Sequence, residues 1–109
     1  MTNGADELGR WSDPGLLVLC SLADGAKHGY AMVSDIEQLA GVHLGPGTLY
    51  GALSRLESHG LIEAAAPDGR RRPYRITAAG SSALASQLRT LESVANAGLS
   101  RLRAAGVAA

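Results

Sequence analysis

Large aromatic side chains are scarce in this chain of 109 residues: phenylalanine is absent, and one tryptophan and three tyrosines are the only aromatic residues. The hydrophobic fraction of 46% comes instead mainly from alanine, leucine and valine. Alanine and leucine favour helices, whereas aromatic residues favour strands. The length suits one domain, since a single core becomes workable above about 70 to 80 residues. We therefore predict one mainly helical domain.

Cysteine and long apolar runs are also nearly missing. Cys20 is the only cysteine, so no internal disulfide can form, and its leucine-rich neighbourhood predicts a buried side chain rather than a reactive thiol. The longest uninterrupted apolar run, from Leu16 to Cys20, is far shorter than the roughly 20 residues that cross a bilayer. The first residues are polar and lack a basic and apolar leader. We expect a cytoplasmic protein without a membrane segment.

Neither sign of charge is in excess. The formal net charge is zero, which argues against a protein that coats nucleic acid through bulk positive charge. The distribution is uneven, because residues 44–77 hold five arginines against three acidic residues. Positive charge is therefore concentrated in one third of the chain.

Three helices are predicted within the first sixty residues. Asp13 and Pro14 form a helix start, with a capping side chain and a proline at the first helical position, so helix one spans residues 14–23. Helix two opens at His28-Gly29-Tyr30 and ends at residue 40, before Gly41. Helix three runs from Pro46 to about residue 59, where Gly60 stops it.

The third helix has two different faces. One face carries three leucines that point to a core: Leu49, Leu53 and Leu56. The other face is small and polar, and short side chains let a helix backbone come close to a groove. The residues assigned to this second face are Thr48, Gly51, Ala52, Arg55 and His59.

A short hairpin follows the third helix. Residues 61–66 and 71–77 are predicted strands, and Pro67-Asp68-Gly69 supplies a turn in which glycine takes a positive φ. Pro73 lacks an N–H group, so the second strand should lie at an edge. The tip is then exposed and rich in arginine, at residues Arg70, Arg71 and Arg72.

The last predicted helix is too long and too apolar for a small domain. Thr77 is a suitable cap, and the helix should run to about Arg103. Its apolar stripe exceeds what a three-helix core can cover, so we expect it to join two copies of the chain. The stripe consists of Leu84, Leu88, Leu91, Ala95 and Leu102.

The order of helices and strands predicts a winged helix-turn-helix followed by a dimerisation helix, that is, a mainly α fold with a small β-hairpin. Residues 1–13 would be a flexible tail held by Trp11, residues 14–77 the DNA-binding domain, and residues 78–109 the dimerisation helix with a short tail. Helix 46–59 would enter the major groove as recognition helix. Wing residues 67–72 would meet the backbone or the minor groove.

Three sequence blocks are distinctive: "HGYAM" (28–32), "LGPGTLYGALSRLESHGLIE" (44–63) and "RRRPYRITAAG" (70–80). They resemble the PadR family of bacterial transcriptional regulators, and the resemblance covers about residues 16–80. It implies a homodimeric repressor on a pseudo-palindromic DNA operator, often relieved by a small molecule. The short tail after Gly80 resembles small-type members, in which one C-terminal helix joins the protomers.

The resemblance also implies which residues meet DNA. Thr48 and Tyr50 would do so at the start of the recognition helix, although Tyr50 could equally pack its ring beneath the wing. Pro46 takes the place of a capping serine or threonine. The further implied DNA contacts are Lys27, His28, Ser54, Arg55, Arg70, Arg71 and Arg72.

The sequence leaves two other functions open and argues against three more. A winged-helix module that binds protein rather than DNA is compatible with zero net charge, and an aromatic effector could enter between protomers near Trp11. A nucleotide site is excluded, because Gly45-Pro46-Gly47-Thr48 lacks the lysine of a P-loop and follows no strand. We expect no metal or other cofactor, since His28, His43, His59 and Cys20 fit no paired-ligand spacing, and no enzymatic activity, since a nucleophile motif is missing.

Overall fold

The computed structural model describes residues 13–67 and 69–109. Within these residues the chain forms four α-helices and one antiparallel hairpin. This arrangement confirms the predicted mainly helical fold with a small hairpin and a long last helix. Residues 1–12 of the predicted tail 1–13, with Trp11, lie outside the described residues. In chain order the elements are α1 (Pro14–Leu22), α2 (Gly29–Ala40), α3 (Pro46–Ser58), β1 (Ile62–Ala64), β2 (Tyr74–Ile76) and α4 (Ala78–Ala104).

The helix ends follow from local chemistry. The carboxylate of Asp13 accepts a hydrogen bond from the backbone N–H of Gly15 at 3.1 Å, which caps α1. The hydroxyl of Thr77 accepts from the N–H of Gly80 at 3.0 Å and caps α4 in the same way. Gly41 ends α2 with a φ of 68°, a left-handed conformation that suits glycine. The predicted helix boundaries are confirmed to within two residues.

The strands are shorter than predicted, and β2 is not a free edge. Ile62 pairs with Ile76 and Ala64 with Tyr74. On its other side, Tyr74 exchanges two backbone hydrogen bonds with Lys27, at 3.0 and 2.9 Å. The edge prediction is therefore wrong at Tyr74. The ladder is brief because Pro73 has no N–H group to extend it.

The core lies between α1, α2, α3, β1 and the first turns of α4. Ala52 is fully buried in it, so its assignment to the exposed face of α3 is wrong. The buried stripe of a helix in a globular protein is wider than the three leucines alone indicate. In α3 it also includes Ala52, which lies between Leu49 and Leu56. The buried hydrophobic residues of this core are Leu17, Val18, Leu19, Leu22, Met32, Ile36, Leu44, Leu49, Ala52, Leu53, Leu56, Ile62 and Leu84.

Helix α4 extends well beyond this core. It has 27 residues and is about 40 Å long, at 1.5 Å per residue. Only Gly80 and Leu84 are buried, so the second half of the helix projects from the domain. Across the described parts of the chain, none of the helices combines the length and the apolar character that spanning a bilayer requires.

Candidate nucleic-acid interface

Helices α2 and α3 form a helix-turn-helix with an exposed second helix. Residues 41–45 connect them, and the buried side chain of Leu44 holds this turn against the core. Because one side of α3 is buried in the core, its other side faces solvent. As predicted, the exposed side carries Thr48 and Arg55, and Ser54 is exposed as well.

The first turn of α3 is left open. Gly45 is the N-cap residue and supplies no side-chain hydrogen bond to the helix, and Pro46 follows at the first helical position. A Cβ atom placed on Gly45 or Gly47 would meet no other atom within 4 Å. A DNA strand could therefore approach the backbone here without a steric barrier.

Two tyrosines stand at the junction of α2 and α3. Tyr50 is 58% exposed, and a Cβ atom on Gly29 would lie 3.1 Å from its hydroxyl oxygen, so its ring lies over the start of α2. The alternative of packing beneath the wing is therefore wrong. Tyr30 is 83% exposed at the same junction and is not among the residues predicted to contact DNA. The sequence feature that points to Tyr30 is its position in the block "HGYAM", which begins at His28. The two rings border an apolar cleft of about 340 Å³ that also includes Leu44.

The wing brings positive charge next to α2. The three predicted arginines are exposed, and Gly69 takes a φ of 65° in the turn. Arg71 Nη1 lies 3.3 Å from His28 Nε2, so the wing touches the first residues of the helix-turn-helix. The guanidinium of Arg72 lies 5.8 Å from the ring centroid of Tyr74, which is a cation–π distance.

Lys27 does not belong to this exposed surface. Its ammonium group donates hydrogen bonds to the carbonyl of Ser21 and the carboxylate of Asp24, and its side chain is 20% exposed. The hydrogen bond from Lys27, and then its charge, lower the pKa of Asp24. This geometry contradicts the predicted DNA contact of Lys27, whose side chain instead fixes the turn between α1 and α2.

Each histidine contacts a different partner, and the cysteine takes no part in these contacts. His28 caps α2, with Nδ1 accepting from the N–H of Ala31 at 3.5 Å. His43 pairs with Glu37, and His59 contacts the carbonyl of Arg55. Burial raises the pKa of the Cys20 thiol, which agrees with an unreactive side chain.

The residues of the predicted dimer stripe on α4 differ in how far the rest of the chain buries them. Leu84 is only 5% exposed and belongs to the core of its own chain, so its predicted role in an interface is corrected. Leu84 lies at the level where α1 and β2 still pack against the helix. Leu91 is partly covered and borders a cleft of about 530 Å³ beside α1. The remaining stripe residues Leu88, Ala95 and Leu102 are exposed, and so are Val94 and Leu99 nearby.

A helix-turn-helix, an arginine-bearing hairpin and a projecting last helix together define a winged helix-turn-helix protein. Comparison with known proteins narrows this class. The model of the "Transcriptional regulator PadR-like family" matches residues 18–86. "Transcriptional regulator Rv3488" of Mycobacterium tuberculosis is 42% identical over 83 residues, which cover 73% of this chain and 77% of that protein. The chain therefore belongs to the PadR-like family of transcriptional regulators, as the three sequence blocks predicted.

Two further proteins are similar to this chain, one in sequence and one in structure. An uncharacterized 37.1 kDa protein in transposon TN4556 of Streptomyces fradiae is 52% identical over 75 residues, which cover 69% of this chain and 22% of that protein. The crystal structure of a PadR family transcription regulator from hypervirulent Clostridium difficile has a TM-score of 0.66 and 26% identity. That match covers 79% of this chain and 97% of the other.

Proposed function

We propose that this chain is a sequence-specific DNA-binding repressor that acts as a homodimer. One observation carries the proposal: contacts join three elements into a single exposed surface. Tyr50 of α3 lies over Gly29 of α2, and Arg71 of the wing contacts His28 at the start of α2. A duplex that meets this surface would reach α3, α2 and the wing together.

Helix α3 would lie in the major groove with its first turns nearest the bases. Thr48, Ser54 and Arg55 are the side chains proposed to reach DNA from it. Arg55 is suited to base reading, because a guanidinium can bind both acceptors on the major-groove edge of guanine. Tyr50 and Tyr30 stand at the margin of α3, where hydroxyl donors would meet the sugar-phosphate backbone.

The wing would supply contacts that do not depend on sequence. Arg70, Arg71 and Arg72 are exposed, and Arg71 contacts His28 at the start of α2, the helix that crosses the backbone in this motif. Arg75 contributes less, because its guanidinium already pairs with Glu63 at 2.8 Å. The wing arginines would therefore bind phosphates or the adjacent minor groove.

The dimer would form through the projecting part of α4. Leu88, Leu91, Ala95 and Leu102 are proposed to pack against a second copy, since an exposed leucine stripe on a helix needs a partner. A two-fold axis would then place two α3 helices about 34 to 36 Å apart on a pseudo-palindromic operator.

Repression would follow from occupation of the operator, and a small aromatic effector would relieve it. The effector would enter between the protomers near Trp11 and α4. A cleft bordered by Leu16, Leu84 and Leu91 lies between α1 and α4. Binding there would change the angle between the two copies and hence the spacing of the α3 helices.

Alanine at Arg70, Arg71 and Arg72 together should weaken binding to every DNA sequence. Each lost phosphate contact should remove about 0.9 from the slope of log affinity against log salt concentration. The slope is measured by fluorescence anisotropy on a duplex selected from genomic fragments. Alanine at Arg89, Arg101 and Arg103 is a control with the same change in charge, and it should leave the slope unchanged. Equal slopes for the wing variant and the wild type would refute the wing contacts.

The alternative is a winged-helix module that binds another protein and not DNA. The zero net charge is the observation in its favour. It predicts that no duplex is retained even in dilute salt, whereas the repressor binds there most tightly.

A further inference from the structure

His28 lies between two hydrogen-bond donors. Its Nδ1 lies 3.5 Å from the backbone N–H of Ala31, and its Nε2 lies 3.3 Å from Nη1 of Arg71. A neutral imidazole has one donor and one acceptor nitrogen, and an imidazolium has two donors. Neither form can accept from both neighbours. At least one of the two contacts therefore lacks an acceptor, whichever form the ring takes.

An oxyanion that lies beside the ring and the guanidinium, and accepts from both, removes this conflict. If Nε2 carries the proton, Nδ1 accepts from Ala31 and keeps the cap of α2. Nε2–H and the Nη1–H of Arg71 are then two donor groups whose nitrogen atoms lie 3.3 Å apart. A single oxyanion can accept from both, and such charge-assisted bonds are about twice as strong as neutral ones.

We propose that one backbone phosphate of the bound DNA is held jointly by His28 Nε2–H and the guanidinium of Arg71. This inference rests on the proposed DNA-binding function and specifies which two residues share one contact. Their sequence separation of 43 residues joins the wing to α2 through the ligand. The site lies where the first helix of a helix-turn-helix crosses the DNA backbone.

The surrounding cleft suits a phosphate on a polymer. It is open, holds about 460 Å³, and includes the polar side chains of Tyr30, Ser34 and Gln38. Asp35 also borders it, but one of its carboxylate oxygens already accepts from the hydroxyl of Ser21 at 2.7 Å. Arg71 is already positioned at His28 before DNA arrives, which reduces the entropy lost on binding.

The two arginines next to Arg71 on the wing lie elsewhere and are not in contact with His28. Arg72 lies over the ring of Tyr74, and Arg70 lies one residue nearer the exposed turn. Arg70 is therefore the matched control: it has the same side chain on the same wing and lacks the contact with His28.

A double-mutant cycle on DNA affinity tests the shared phosphate. His28→Asn keeps a capping side chain for α2 but removes the Nε2 donor, and Arg71→Ala removes the guanidinium. Each single variant should lose on the order of tenfold in affinity. The double variant should lose little more than either, because both remove the same contact. Combined with Arg70→Ala, the effect of His28→Asn should instead multiply.

The outcomes separate the two proposals. A wild type that binds duplex while the effects of His28→Asn and Arg71→Ala simply multiply would overturn the shared site and leave the repressor intact. A wild type that binds no duplex would overturn both. Thermal melting of each variant checks folding, and His28→Ser, whose hydroxyl caps but is too short to reach the phosphate, replaces His28→Asn if that variant melts early.

Discussion

Alanine at Gly80 should destabilise the domain by about 3 kcal/mol, although it adds only one methyl group. For a domain of this size such a loss lowers the melting temperature by roughly 12 to 24 °C. The reason is a close approach between backbones. A Cβ atom at Gly80 would lie 2.0 Å from the carbonyl oxygen of Leu61 and 2.8 Å from Cγ1 of Ile76.

The crowded carbonyl cannot move away freely. The Leu61 oxygen accepts the N–H of Thr77 at 3.1 Å, and the hydroxyl of Thr77 donates to the carbonyl of Gly60 at 2.7 Å. These bonds fasten the start of α4 to the start of the wing. Relief of the clash would therefore break the contacts that set the direction of both elements.

Gly98→Ala is the matched control, since a Cβ atom there meets nothing within 4 Å. It should stabilise α4 by about 1 kcal/mol, because glycine costs that much in a helix interior. Both variants are compared by thermal denaturation followed by circular dichroism. A Gly80→Ala variant as stable as the wild type would show that α4 does not cross Leu61 so closely.

Glutamate at Leu88 should convert a dimer into a monomer and reduce operator affinity by about 100-fold or more. An unpaired carboxylate in an apolar interface is strongly unfavourable, so the two helices would separate. Each chain would then bind one half-site, without the gain of 10² to 10⁴ that linked binding gives. Sedimentation equilibrium gives the mass, and fluorescence anisotropy gives the affinity.

Ser93→Glu supplies the control for charge. It introduces the same carboxylate on the same helix, about 140° around the axis from Leu88, at an exposed position. It should leave both mass and affinity unchanged. If Leu88→Glu keeps the wild-type mass and affinity, the seam on α4 is not the dimer interface.

The sequence predicted those features that depend on neighbouring residues. Asp13 and Thr77 cap helices through bonds to residues two and three positions away, and Gly41 ends α2 by its own conformation. Such signals are readable without a fold. The positions of Thr48 and Arg55 on the exposed side of α3 follow from the same helical periodicity.

The features that were missed depend on contacts between distant elements. Tyr74 pairs with Lys27, which lies 47 residues earlier in the chain, and no local sequence pattern predicts this pairing. The inward direction of Lys27 depends on the Ser21 carbonyl, which only the finished turn after α1 presents. Leu84 looked like part of the dimer stripe because periodicity cannot tell which end of a long helix the domain already covers.

Hydroxyl-radical footprinting on a duplex selected from genomic fragments tests the central claim most directly. Two copies of α3 related by a two-fold axis should protect two clusters of sugars, whose centres lie about 10 to 10.5 base pairs apart on a pseudo-palindrome. Retention of no fragment at low salt, or protection of one isolated cluster, would contradict a dimer that binds successive turns of DNA.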